Sequence, residues 1–260
     1  MEQITLYLAT LCFMGSFAYT VIALVAGRVR PGWFNLAAIL TGFALLSGFL
    51  YLRGQVEGSC PLNSLFDVLI FQSWALVLIY LAVGSTYRLS LLGAFTAPLA
   101  FLLLLLALVL PISRAPVPRV ALNPWIEFHA ALSIIAYGAF GLACVAGAMY
   151  LLQERQLKSH KASPLLYSLP PIHDLAAVTR RLIWLGFGLL TISFISGLLS
   201  QVPVNSLKFT ASLVIWAAYG IILLVQRLLP LSPRRVAAWA IGIFAFALLS
   251  LPVIQHLSKQ

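Results

Sequence analysis

Two histidines stand at the ends of long apolar segments, where an ionisable side chain is costly and is therefore a functional candidate. His129 lies near the start of the fifth such segment, and Ser133 and Tyr137 follow it at intervals of four residues. On a helix these three side chains share one face. His256 lies near the end of the eighth segment. If both segments cross a membrane, the two histidines lie at a similar depth on the same side.

Two imidazoles on different helices form a donor set that suits the iron of haem, which takes axial nitrogen ligands. His129 and His256 are therefore candidate haem ligands, and no metal other than haem iron is expected. The three cysteines form no CxxC pair, so neither a disulfide framework nor thiol exchange is indicated. A structural explanation remains open: His129 hydrogen-bonds at a helix start, and His256 is a polar residue at the membrane interface.

The composition shows what kind of elements must position these residues. The chain is 62% hydrophobic and only 8% charged, whereas a soluble domain carries about 25% charged residues. Most of the surface of this protein must therefore be in contact with lipid and not with water. The net charge of +10 does not indicate nucleic acid as a partner, because the cations fall between apolar blocks rather than in one basic patch.

Eight segments are long enough to cross the hydrocarbon core, which takes about 20 residues per helix. Their approximate limits are 4–26, 34–52, 65–84, 91–110, 126–152, 182–200, 209–228 and 236–257. The sequence thus predicts an all-α fold, a polytopic membrane helix bundle that forms a single membrane domain over residues 1–260. Small residues on the fifth and sixth segments, Gly138 and Gly197 among them, are predicted to allow close helix packing.

The basic residues predict the orientation of the bundle. Alternate connections carry eleven of the 16 lysines and arginines, and these connections are expected to face the cytoplasm. Both termini are then on the outer side of a bacterial plasma (inner) membrane. On that side Asn63 and Ser64 are predicted to cap the third helix, and Asp67 is expected to stabilise the positive end of that helix; a pairing of Asp67 with Arg53 or Arg119 is left open.

Motifs of common enzyme classes are absent from the sequence, which has no P-loop, HExxH, GxSxG or dinucleotide fingerprint. No enzymatic activity is therefore expected. A small-molecule transporter is a further alternative, but it would need broken helices or polar sites at mid-membrane depth, and no carboxylate lies there.

Three stretches, in this order, resemble the cytochrome c assembly family of CcsA- and ResC-like proteins. They are GSCPLNSLFDVLIFQSWALVLIYL at 58–81, NPWIEFHAALSIIAYGAFGLACVAGAMYLLQERQLK at 123–158 and LPPIHDLAAVTRRLIWLGFGLLTISFISGLL at 169–199. The second contains the family's Trp-x-x-x-His pattern as Trp125 and His129. The resemblance extends over about residues 50–257.

The resemblance implies haem as a cofactor, bound on the outer face by His129, with His256 near the position expected for a partner ligand. Trp125 and Tyr137, on the same predicted helix as His129, are further candidate haem-binding residues. It also implies contacts with other cytochrome c assembly proteins. The connection SQVPVNSLK at 200–208 lacks the family's tryptophan-rich loop, so the chain looks closest to the HemX- and YpjD-like branch. The alternative that this branch implies is a HemX-like regulatory or scaffold protein of tetrapyrrole metabolism without haem transfer.

Overall fold

The computed structural model describes residues 2–25, 33–62, 64–87, 90–110, 124–159, 171–199, 207–229 and 231–257. These residues form eight α-helices and no strand, which confirms the predicted all-α fold. The helices are α1 Glu2–Val25, α2 Trp33–Glu57, α3 Leu65–Tyr87, α4 Ser90–Val109, α5 Pro124–Lys158, α6 Ile172–Leu199, α7 Leu207–Leu228 and α8 Pro233–Leu257.

Seven of these helices are long and apolar enough to cross a membrane. The eighth, α4, has a shorter described apolar part, Phe95–Val109, and carries Pro98 inside it. Helices are the form in which a spanning segment satisfies its own backbone hydrogen bonds in the absence of water. The chain is therefore a multi-pass membrane protein.

Two helices extend further than their apolar segments predict. α5 continues to Lys158 rather than ending near 152, and α6 begins at Ile172, ten residues before the predicted start at 182. Hydropathy finds only the part of a helix that lies in lipid. The polar turns beyond it are stabilised locally, by the Glu154–Lys158 ion pair at 2.7 Å in α5 and by Asp174 in the first turn of α6.

The helix α5 is at the centre of one half of the bundle, where it packs along α6 and against α3 and α8. At two crossings the backbones approach so closely that only a very small residue fits. A Cβ added to Gly138 would lie 2.7 Å from the backbone carbon of Ala75 in α3. A Cβ added to Gly147 would lie 3.2 Å from the backbone oxygen of Ala237 in α8.

In the other half of the bundle, α1 packs on α2 and α4, and α3 packs on α4. Hydrogen bonds between side chains connect these helices at membrane depth. Ser16 of α1 donates to the side-chain oxygen of Asn35 in α2, and Trp74 of α3 donates from Nε1 to Ser47 of α2 at 2.8 Å. Such bonds are favoured in lipid, because an unpaired polar group there cannot form a hydrogen bond to water instead.

A buried ion cluster joins the ends of α1, α2 and α3. The Arg53 side chain is 1% exposed, and its Nε lies 3.1 Å from carboxylate oxygens of both Glu57 and Asp67. Its Nη1 lies 3.2 Å from Glu2. The Asp67 amide donates to the Ser64 hydroxyl at 3.1 Å, which caps α3. Of the two partners left open for Asp67, the structure shows Arg53. Asn63 and Arg119 lie outside the described residues.

The Gly138 crossing gives the first testable prediction. Gly138→Ala should force α3 and α5 apart and lower the free energy of unfolding by about 1–3 kcal/mol, the typical cost of overpacking. The measurement is the thermal unfolding midpoint of the purified protein in detergent micelles. Gly188→Ala on α6 is the matched control, since a Cβ there meets nothing within 4 Å. Equal midpoints for the two variants would contradict the predicted close crossing.

Candidate functional site

His129 lies in the second turn of α5, half-buried against α6. Its Nδ1 is 2.6 Å from the backbone carbonyl oxygen of Ser193. A carbonyl oxygen only accepts hydrogen bonds, so Nδ1 carries the proton and donates it. In the neutral imidazole the lone pair is then on Nε2. Metal-binding histidines in proteins are commonly oriented in this way, by a hydrogen bond from the other ring nitrogen.

Ser193 fixes the backbone of α5 as well as the imidazole. The side chain is fully buried, and its hydroxyl donates to the carbonyl oxygen of His129 at 2.8 Å. The same Oγ lies 3.0 Å from Nδ1 of His129 and 2.6 Å from the hydroxyl of Ser133. Because the proton of Ser193 is already committed to His129, Ser133 is the donor in the last pair. The sequence assigns Ser193 no role in the site, since it is 64 positions from His129.

The wall of the imidazole site is formed by the last turns of α6. A Cβ added to Gly197 would lie 2.8 Å from Nδ1 of His129, so the α6 backbone passes directly beside the ring. The ring of Phe194 lies 6.5 Å from the imidazole, centroid to centroid. Phe194 in turn contacts Trp216 of α7 edge-on at 6.2 Å. The imidazole of His129 is thus hydrogen-bonded to Ser193 on one side and lies near the aromatic rings of Phe194 and Trp216.

Trp125 and Phe128 give the start of α5 an aromatic outer surface. Trp125 lies one helical turn before His129, and about half of its surface is exposed, as is that of Phe128. Tyr137, two turns deeper than His129, does not join the Ser133–Ser193 pair. Its hydroxyl is hydrogen-bonded to Ser212 of α7 instead. Of the predicted polar stripe, His129 and Ser133 therefore meet α6, and Tyr137 meets α7.

The position of His256 follows from the packing of α8 on α5. Gly141 of α5 faces Phe244 of α8, and Gly147 faces Ala237, so the two helices run antiparallel. Position 129 lies twelve residues before Gly141 on α5, and position 256 lies twelve residues after Phe244 on α8. The helix backbone at 256 is thus level with that at 129. The side chain of His256 lies outside the described part of the structure.

The loop between α2 and α3 lies close to the start of α5. Burial, together with the nearby carboxylates of Glu127 and Glu57, raises the pKa of the Cys60 thiol to about 11. Cys60 is therefore protonated at neutral pH and a poor nucleophile. Within the described residues, no group of three or more His, Cys, Asp or Glu side chains is arranged to hold a metal ion.

The raised pKa of Cys60 predicts how its alkylation depends on pH. In a Cys12→Ala, Cys144→Ala background, the rate should rise about tenfold per pH unit up to about pH 11, because only the thiolate reacts. Glu127→Gln removes a negative charge that raises the pKa, so alkylation at pH 9 should become faster. Glu154→Gln, at the other end of α5, is the control and should leave the rate unchanged. A wild-type midpoint near the ordinary value of 9.0 would contradict the prediction.

Comparison with known proteins identifies the family. The sequence matches the profile of the cytochrome c assembly proteins over residues 62–259. It is 32% identical to protein HemX of Brevibacillus brevis over 170 residues, which cover 64% of this chain and 62% of that protein. It is 28% identical over 177 residues to the cytochrome c biogenesis protein CcsA of Chlamydomonas reinhardtii, with coverage of 65% and 47%. It is also 23% identical over 212 residues to HemX of Bacillus subtilis (strain 168), with coverage of 78% and 77%.

The chain thus spans less than two thirds of the first two relatives, 62% and 47% of their lengths. The profile match is broader and includes α3 to α8, with Trp125, His129, Ser193 and Gly197. More than half of the sequence is matched in one continuous region. The chain belongs to the cytochrome c assembly protein family.

Proposed function

We propose that this chain is a haem-handling component of cytochrome c assembly and that it binds haem through His129 on the outer face of the bacterial plasma membrane. The observation that supports the proposal is the hydrogen bond from Nδ1 of His129 to the Ser193 carbonyl. It orients the ring and directs the lone pair of Nε2 away from Ser193. Haem iron binds a neutral imidazole nitrogen of this kind.

The residues around His129 fit a porphyrin in two respects. The exposed aromatic side chains of Trp125 and Phe128 offer faces on which a flat, apolar ring can stack. Gly197 leaves room beside the imidazole, so the ring keeps its orientation without a clash. In this proposal Tyr137 closes the deeper end of the site through its bond to Ser212. When bound, haem supplies the iron porphyrin that becomes the prosthetic group of a cytochrome.

His256 is the second residue that we propose would hold the haem iron. The antiparallel register of α5 and α8 supports this role, since it brings backbone position 256 to the level of His129. Two ligands from different helices would make binding depend on the packing of α8 against α5, which in turn depends on Gly147 and Ala237. Other cytochrome c assembly proteins are the proposed partners that deliver or receive the haem.

The proposal requires the start of α5 to face outward, as the distribution of lysine and arginine predicts. An alkaline phosphatase fused after residue 260 is then expected to be active in a bacterial host, because this enzyme folds only outside the cytoplasm. The reciprocal control is a fusion after Lys158, at the opposite end of α5, which should be inactive. The reverse pattern of activities would place His129 on the cytoplasmic side and refute the outer-face site.

Haem binding is tested by the visible spectrum of protein purified after growth with a haem precursor. The wild type should show a haem absorption band, and His129→Ala should lose most of it. Gly197→Ala, which pushes against the imidazole, should weaken binding by about tenfold or more, as changes beside a metal ligand do. His173→Ala is the matched control, since its side chain is 79% exposed in the first turn of α6, at the end of that helix opposite to Gly197.

A wild-type spectrum without haem, or one that His129→Ala leaves unaltered, would contradict the proposed site. The regulatory alternative can then be separated by deletion of the gene. A HemX-like regulator predicts that deletion changes the levels of tetrapyrrole-synthesising enzymes and that a His129→Ala copy restores them. The 32% identity to a HemX protein is the observation that favours this second candidate.

A further inference from the structure

An apolar groove lies between α7 and α8, and none of its lining residues belongs to the His129 site. Its volume is about 350 Å³. Ile215 and Ala218 of α7 form one wall, and Trp239, Gly242 and Phe246 of α8 form the other. The rings of Trp239 and Phe246 are more than half exposed. The groove therefore opens sideways, toward the lipid, and not into the interior of the bundle.

Gly242 leaves this groove open. A Cβ added at Gly242 would meet nothing within 4 Å, in contrast to Gly138 and Gly147, where it would meet the backbone of a neighbouring helix. Gly242 is therefore not a helix-packing glycine. In a membrane an open apolar groove is filled by an apolar chain, because a void would forfeit the packing contacts of its walls.

Three arginines stand at the end of the groove where α7 ends and α8 begins. Arg227 lies in the last turn of α7, and Arg234 and Arg235 lie in the first turn of α8. With a rise of about 1.5 Å per residue, Trp239 lies about 7 Å and Phe246 about 17 Å further along α8 than these arginines. The groove thus runs from the charged end into the depth of the hydrocarbon.

Two of these arginines are held in place by neighbouring side chains. The guanidinium of Arg227 lies 5.3 Å from the ring centre of Trp184, and Nε of Arg234 lies 3.7 Å from a carboxylate oxygen of Glu154. Arg235 is exposed, and no acid within the described ranges lies at ion-pair distance from it. Three cations against one carboxylate leave a net positive charge above the groove.

We propose that this groove is a binding site for one anionic phospholipid, with an acyl chain between α7 and α8 and the phosphate on Arg234 and Arg235, beside Arg227. Charge complementarity selects the headgroup, as it does in other basic pockets at the ends of membrane helices. The walls of the groove select the chain, because they are apolar along their length and so match a hydrocarbon chain.

The test is retention of added phosphatidylglycerol by the full-length protein in detergent, counted by native mass spectrometry, with zwitterionic phosphatidylcholine as the reference lipid. The wild type should retain one molecule of phosphatidylglycerol in preference to phosphatidylcholine. Arg234→Gln combined with Arg235→Gln should weaken its affinity by about thirtyfold, and Gly242→Leu, which fills the groove, should weaken it several-fold. Unfolding midpoints should stay close to the wild-type value in both variants. A Cβ at Gly242 meets nothing within 4 Å, and the Arg234 side chain is largely exposed, so its 3.7 Å pair with Glu154 adds little to stability.

Matched controls distinguish binding at this groove from non-specific attraction of an anionic lipid to any positive charge on the protein. Arg155→Gln combined with Arg180→Gln removes the same charge from the last turn of α5 and the third turn of α6, and Gly188→Leu adds the same bulk to an exposed glycine on α6. Both should retain phosphatidylglycerol as the wild type does. The proposal is overturned if the charge control loses as much lipid, if Gly242→Leu has no effect, or if both lipids are retained equally. It is also overturned if Gly242→Leu abolishes a dimer, which would make the groove an interface between two copies.

Discussion

The close approach of α5 to α3, α6 and α8 is the constraint on which the rest of this structure depends. In a bilayer the lipid tails are as apolar as the helix surfaces, so burial of apolar area gives helices little reason to associate. Dispersion contacts and hydrogen bonds must hold them instead, and both fall off steeply with distance. Gly138 supplies the required proximity to α3, because it lets the backbone approach where a side chain would not fit, and Gly147 leaves only a tight contact for a Cβ against α8.

The same proximity creates the His129 site and fixes its relation to the basic end. The imidazole reaches the Ser193 carbonyl because Gly197 lets α6 pass beside it. From there a continuous column of rings runs between α6 and α7 to the opposite end of the bundle, through Phe194, Trp216, Phe187 and Trp184 to the guanidinium of Arg227. Each contact in it is 6.5 Å or less between centres, so aromatic rings join α6 to α7 from the His129 site to Arg227.

Hydropathy was sufficient to predict eight helices, and charge was sufficient to limit the partners of Asp67 to Arg53 or Arg119, because both depend on free energies that act over a few residues or one loop. The structure selects Arg53. The start of α6 at Ile172 was not predictable in this way, since its first turns are polar and lie beyond the apolar segment. The role of Ser193 was hidden for a different reason. Its contact with His129 spans 64 positions and exists only once two glycine-lined helices have packed together.

The structure also joins the two explanations of His129 that the sequence leaves open. The hydrogen bond to Ser193 ties α5 to α6, which is the structural role. A serine or asparagine could tie the same helices, and Ser133 already does so from the next turn of α5. A histidine differs from these residues in having a second ring nitrogen, and the first bond decides that Nε2 carries the lone pair. The structural contact is therefore compatible with the proposed ligand role of His129 rather than an alternative to it.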